Sequence, residues 1–187
     1  MPATGVLALQ GDFREHLTML RQVGTEPIPV RTPAELSEVE ALVIPGGEST
    51  TIGKLADRFG LMDALRTRIE AGMPVYGTCA GLIFLSAAVT EGEQHLLGVL
   101  DAVVHRNAFG RQNESFEEDL DIVGLDSPFR GVFIRAPWVA KLGDGVEVLA
   151  TIDSHPVMVR QGSILASSFH PELTDDTRIH RMLVDLI

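Results

Sequence analysis

Val75-Tyr76-Gly77-Thr78-Cys79-Ala80-Gly81-Leu82-Ile83 is the stretch from which the rest of the chain can be read. It lies within residues 71–90, 20 positions without a charge, about the length of a transmembrane span. Gly72, Pro74, Gly77, Thr78 and Gly81 crowd its first half, however, and punctuate it into strand, sharp turn and helix. The pattern predicts a strand at residues 74–76 and a helix over residues 80–88, and it argues against a membrane segment. A Gly-x-Cys-x-Gly turn between strand and helix has the form of a nucleophile elbow, whose small flanking residues let the backbone bend and present the central side chain. The helix that follows sets N-terminal amides and the positive end of its dipole beside the sulfur, where an oxyanion would need donors.

Outward from the elbow, strands and helices alternate. Residues 4–9 read as a buried strand closed by Gln10-Gly11. Phe13, Leu17, Leu20 and Val23 then recur at helical spacing between Arg14, Glu15 and Arg21, with Gly24 as the stop. Strands are expected at residues 27–30 and 41–44, the latter running into Pro45-Gly46-Gly47-Glu48-Ser49, and helices at 49–57 and 61–71. Four strands alternating with helices in about 90 residues indicate a parallel sheet covered on both faces. From residue 96 the texture becomes β-rich, with runs at 102–105, 120–123, 132–135, 146–151, 156–160 and 164–169, close enough for antiparallel pairing. Residues 175–187 read as a last helix with Thr174 as its cap. The expected fold is α/β, a three-layer, mostly parallel open sheet flanked by helices with an antiparallel β-rich extension, in a single domain over residues 1–187.

Composition narrows the function. With 187 residues and 45% hydrophobic content the chain can fill a core without covalent staples. Its 26 acidic residues against 15 Lys and Arg leave a formal charge of −11, the wrong sign for gripping nucleic acid or an anionic membrane. The N-terminus lacks the basic and apolar regions of a secretory signal, so a cytoplasmic location is expected. Cys79 is the single cysteine, which excludes an intrachain disulfide and a cysteine-based zinc cage and leaves it packing or chemistry.

A thiol nucleophile needs a base. His170 follows an apolar run in Ser168-Phe169-His170-Pro171-Glu172-Leu173. Residues two apart in extended chain point the same way, so Glu172 can reach His170 while Pro171 restrains the backbone between them. A carboxylate fixing the imidazole tautomer completes a Cys79-His170-Glu172 triad. His16, His95, His105, His155 and His180 lack such a neighbour in sequence. The Gly-rich loop after the third strand falls where open parallel sheets collect ligands, beyond the strands' carboxyl ends. The amides of Gly47 and Ala80 are the candidate oxyanion hole, and Glu48 is a candidate for a substrate ammonium. The acidic run Glu114, Glu117, Glu118, Asp119 and Asp121 is read as a solvated face rather than a cation site.

Together the elbow, the Pro-Gly-Gly loop and the late His-Pro-Glu resemble the triad-type, class I glutamine amidotransferases. Gly5-Val6-Leu7-Ala8-Leu9-Gln10-Gly11, Pro45-Gly46-Gly47-Glu48-Ser49-Thr50-Thr51, Arg106-Asn107-Ala108-Phe109-Gly110-Arg111-Gln112 and Ser168-Phe169-His170-Pro171-Glu172-Leu173-Thr174 are more specific. They resemble the glutaminase subunits of pyridoxal 5'-phosphate synthases. The resemblance implies hydrolysis of L-glutamine to glutamate and ammonia through a γ-glutamyl thioester on Cys79. It also implies glutamine-binding positions at Gly47, Glu48, Ser49, Arg106, Ile134 and Arg135, with Gln10 near the pocket, and no metal or organic cofactor. An Arg suits the glutamine α-carboxylate through paired donors. The implied partner is a separate (β/α)₈-barrel synthase subunit in a hetero-oligomer that takes up the ammonia; a barrel typically needs about 250 residues. A glutaminase serving another pathway, such as histidine or purine biosynthesis, shares the triad, but the Thr50-Thr51 extension and the 106–112 segment speak against it. A non-catalytic protein of the related fold is a further alternative, opposed by the presence of both His170 and Glu172.

Overall fold

The computed structural model describes residues 1–109 and 115–187. In chain order the elements are β1 (Ala3–Leu7), α1 (Phe13–Gln22), β2 (Glu26–Val30), α2 (Pro33–Ser37), β3 (Ala41–Ile44), α3 (Ser49–Arg58), α4 (Leu61–Glu70), β4 (Val75–Thr78) and α5 (Ala80–Leu85). They continue with β5 (Ser86–Val89), β6 (Leu100–His105), β7 (Ser115–Leu120), β8 (Phe129–Ile134), β9 (Trp138–Leu142), β10 (Glu147–Ile152), β11 (His155–Gln161) and β12 (Ile164–Ser167). A 3-10 turn (Pro171–Leu173) and α6 (Arg178–Val184) close the chain.

Among the described residues the main sheet has the order β10-β11-β12-β4-β3-β1-β2. The pairs from β12 to β2 are parallel, and β11 and β10 add an antiparallel edge beyond β12. The expected mostly parallel sheet with an antiparallel extension is therefore present. Consecutive residues of its central strands feed opposite layers, as a doubly covered sheet requires. Leu7, Leu42, Ile44 and Val75 join one core with Ile52, Leu61, Leu65 and Phe84 of the helices α3 to α5. Val6, Ala41, Val43 and Tyr76 join the other, with Leu17 and Leu20 of α1 and Ile179 and Leu183 of α6.

Several boundaries differ from the expectations. The helix after the elbow ends at Leu85 rather than residue 88, because Ser86 begins β5, which pairs in parallel with β6. Strand β9 follows the run expected at 132–135 and pairs antiparallel with β6. The run expected at 120–123 lies earlier, as β7, and forms a hairpin with β8. The last helix starts at Arg178, not residue 175. Thr174 does not cap it; its hydroxyl donates to the Pro171 carbonyl and accepts from the Asp176 N–H, bracing the turn after His170. One added element is α2, with a complete capping box from Thr32 and Glu35.

Candidate active site

The elbow glycines serve close approach. A Cβ on Gly81 would strike the Ile44 carbonyl oxygen, and one on Gly77 would lie 2.7 Å from the Gly81 carbonyl group. Their absence lets α5 sit down against β3 and β4. Cys79 itself takes the bend, with φ 49° and ψ −100°. For a residue with a side chain this is strained backbone, worth about 1–3 kcal/mol, and it persists only when the surroundings impose it. They do: the Cys79 N–H donates to the Ser167 carbonyl at 2.8 Å, and its carbonyl accepts from Ile83 in the first turn of α5. Cys79 is mostly buried, and its Sγ is 4.0 Å from the Ile134 carbonyl oxygen.

The strand neighbouring β4, β12, delivers His170. Beyond Ser167 the chain is pinned by the His170 N–H donating to the Val132 carbonyl. A buried relay also holds it, in which Tyr76 Oη, 2.6 Å from Ser167 Oγ, faces a hydroxyl that donates onward to the Phe169 carbonyl. His170 Nδ1 lies 2.6 Å from Glu172 Oε1, both side chains being almost wholly buried. Burial alone would lower the pKa of His170, but hydrogen bonds to Cys79 and Glu172, and their negative charge, raise it to about 10. Burial pushes the Glu172 carboxyl up, against the pull of His170. Both partners thus favour the protonated imidazole.

The two open into a cleft of about 560 Å³. Gly47, Glu48, Ser49, Ala80, Arg106, Ile134 and Arg135 line it with Cys79 and His170, so expected site residues from five separate stretches of sequence converge. Gln10 stands behind the loop: its Oε1 accepts from the Glu48 N–H at 2.7 Å and packs against Gly47, whose φ of 151° suits glycine. The carboxylate expected to meet a substrate ammonium has further work. Glu48 caps α3 by accepting from the Thr50 and Thr51 N–H groups and the Thr51 hydroxyl, and lies 3.8 Å from Arg106. Its pKa is lowered, since these hydrogen bonds outweigh burial. Gly110, Arg111 and Gln112 of the segment 106–112, and Glu114 of the acidic run, lie outside the described residues. Of the rest of that run, Glu117 and Asp119 pair with Arg130 on an exposed hairpin face.

Sequence reasoning missed Asp12, Glu91 and Asn107 in the cleft wall. Asp12 Oδ2 is 3.8 Å from His170 Nδ1, and the Asp12 N–H donates to the Gly46 carbonyl. It also missed His16 and His180: His16 Nε2 is 3.4 Å from Glu172 Oε2, and His16 Nδ1 is 2.8 Å from His180 Nε2. The available signal was placement. His16 falls at helical spacing between Phe13 and Leu20 on the apolar face of α1, where a polar ring needs a partner.

A strained cysteine at a strand end of an open parallel sheet, facing a buried His-Glu pair, is the arrangement of α/β enzymes that act through a thiol nucleophile. The chain belongs to the SNO glutamine amidotransferase family, whose profile matches residues 6–187. It is 57% identical to the pyridoxal 5'-phosphate synthase subunit PdxT of Frankia alni, over all of this chain and 95% of that one. Identity to the same-named protein of Thermus thermophilus is 59%, over 97% of this chain and 96% of that one. A crystal structure of a glutamine amidotransferase superposes with a TM-score of 0.94 at 57% identity, covering 98% of this chain and 97% of the other.

Proposed function

We propose that Cys79, His170 and Glu172 carry out the glutaminase reaction of this chain, residues 1–187 acting as one glutaminase domain. The chain is a glutamine amidotransferase of the pyridoxal 5'-phosphate synthase type, a subunit that hydrolyses L-glutamine. The Cys79 sulfur adds to the side-chain amide carbon, and the N–H groups of Gly47 and Ala80 receive the oxyanion. As the C–N bond breaks, His170 passes its proton to the departing nitrogen, leaving a γ-glutamyl thioester and ammonia. His170 then takes a proton from water, whose oxygen adds to the thioester; the C–S bond breaks, releasing glutamate and the sulfur. Glu172 holds the imidazole in the required tautomer throughout. Arg106 and Arg135 are suited to the α-carboxylate, and Glu48, with Ser49 beside it, to the α-ammonium on the same carbon.

The single observation that carries this reading is the strained Cys79 facing the 2.6 Å His170–Glu172 pair across an open cleft. Ammonia set free in water is mostly protonated and no longer nucleophilic, so it is handed directly to a barrel-type synthase subunit that builds the pyridoxal ring. Co-purification with such a subunit, followed by a glutaminase assay, tests partner and reaction together. Glutamine turnover is expected to rise on adding the synthase, which completes the oxyanion hole at the Gly46-Gly47 peptide. Equal rates with and without it would remove that coupling. Rescue of a vitamin B6 auxotroph separates this pathway from other amidotransferase pathways.

A further inference from the structure

Glu172 has two oxygens and only one is committed. Oε1 is taken by His170 Nδ1, while Oε2 is sealed from solvent and accepts no hydrogen bond among the described residues. The polar atom facing it is His16 Nε2, at 3.4 Å, from a fully buried ring on α1; it too makes no hydrogen bond among the described residues, so the two stand as unsatisfied neighbours a small shift from bonding. On the other side of that ring, His16 Nδ1 meets Nε2 of the equally buried His180, 164 residues further along the chain on α6, at 2.8 Å. The tilted imidazoles have centroids 5.1 Å apart, with Tyr76 edge-on to His180. Carbon chains would fill this space without needing partners, so two imidazoles in line behind a catalytic carboxylate call for a polar reason.

Proton placement supplies it. Burial keeps both rings neutral, lowering the pKa of His16 well below its ordinary value and that of His180 to about 4. Each neutral ring then has one N–H and one lone pair. A proton on His16 Nδ1 would leave the lone pair of Nε2 against the carboxylate oxygen, two acceptors face to face. A proton on His16 Nε2 instead presents a donor to Glu172 Oε2, and His16 Nδ1 accepts from His180 Nε2–H. Only the second order sets a donor against an acceptor at both facing pairs, and it runs in one direction, from His180 through His16 to Glu172, with His180 Nδ1 outside the relay.

We propose that His16 and His180 are positioning residues: His180 fixes the tautomer of His16, and His16 holds the second oxygen of Glu172 so that the first stays on His170. This rests on the reading of Glu172 as the orienter of His170 in glutamine hydrolysis. The rings touch neither substrate nor thiol and act through the carboxylate alone.

Two measurements on the full chain test it, the kinetic one in the presence of the synthase subunit. His16→Leu, which keeps the bulk and removes the donor, is expected to lower kcat about tenfold with little change in KM. His16→Gln, which returns an N–H near the position of Nε2, is expected to recover most of the loss. In a Glu172→Gln background, His16→Leu should cost less than about twofold, because the group it acts through has gone. An equal loss in both backgrounds, or an unaltered kcat in the single variant, overturns the proposal. A Glu172→Gln variant as active as the parent would instead remove the underlying triad reading. The second measurement needs no substitution beyond those used for assignment: imidazole ¹⁵N spectra at neutral pH should show His16 neutral with its proton on Nε2. A proton on Nδ1, or an imidazolium, refutes the relay even if the His16 variants do not fold.

Discussion

The backbone N–H of Cys79 donates to the carbonyl of Ser167 at 2.8 Å, carrying the parallel pairing of β4 and β12 one step past Thr78, the register partner of Ser167. This bond joins two stretches that are 88 positions apart in sequence. Because the strands are parallel and in register, both chains leave the sheet at the same end. One turns into the elbow and the other, three residues on, presents His170. Cys79 and His170 meet because their strands end together.

The strain at Cys79 predicts a separation of stability from activity. Cys79→Ala and Cys79→Gly both lose the sulfur and are expected to abolish glutamine hydrolysis and labelling by a glutamine-analogue electrophile. Only glycine is at ease at φ 49°, so Cys79→Gly should be more stable than Cys79→Ala by about 1 kcal/mol. Denaturant unfolding of the two inactive proteins measures this. Equal midpoints would mean that the bend stores no strain.

Glu172→Gln leaves the shape of the turn intact but removes the charge facing His170. The expected result is a kcat reduced about 10²-fold or more, with a smaller effect on KM, since the carboxylate acts on the base rather than on substrate. Steady-state kinetics at saturating glutamine distinguish this from a binding defect.

The parts of this architecture legible in sequence are those set by local chemistry. Gly77 and Gly81 around Cys79 declare the elbow because a side chain at either would collide with neighbouring backbone or side chains. The His170–Glu172 pair is legible because proline holds the two within reach. The four apolar strands from β1 to β4 declare a parallel sheet. What was not legible is set by partners distant in sequence. Nothing near Ser86 stops a helix; pairing with Leu100 on β6 does. His16 stands out in sequence only as a polar residue on the apolar face of α1, and it and His180 gain their meaning when α1 and α6 pack behind the turn that carries Glu172.

Gly46 shows how little room the His170 ring has. A Cβ there would run into Cε1 of His170 and lie 2.9 Å from its Nδ1. Gly46→Ala is therefore expected to displace the imidazole, and a displacement on the order of 1 Å can reduce the rate about 10²-fold. Overpacking should destabilise the fold by only about 1–3 kcal/mol, so the variant remains assayable. A crystal structure of Gly46→Ala should show His170 rotated from Glu172; an unmoved ring with full activity would contradict the packing seen here.

Burial of His16 and His180 gives the fold an acid limit whose sign can be worked out. Both rings stay neutral when folded below the pH at which they would be protonated in the unfolded chain, near 6.5. Above that pH neither state is protonated and the rings contribute no pH dependence. As pH falls, the unfolded chain takes up protons that the folded one refuses, and stability declines. For His180, whose folded pKa is about 4, the decline runs from about pH 6.5 to 4 and amounts to roughly 3 kcal/mol. His170 has the opposite sign: its folded value of about 10 contributes stability that is complete below 6.5 and is lost as pH rises toward 10. His180→Phe should therefore flatten the fall in unfolding free energy between pH 6.5 and 4 while leaving the alkaline limb unchanged. Urea unfolding of the parent and variant across pH 4 to 10 checks both limbs, and an acid limb of unchanged slope in His180→Phe would assign the loss to other groups.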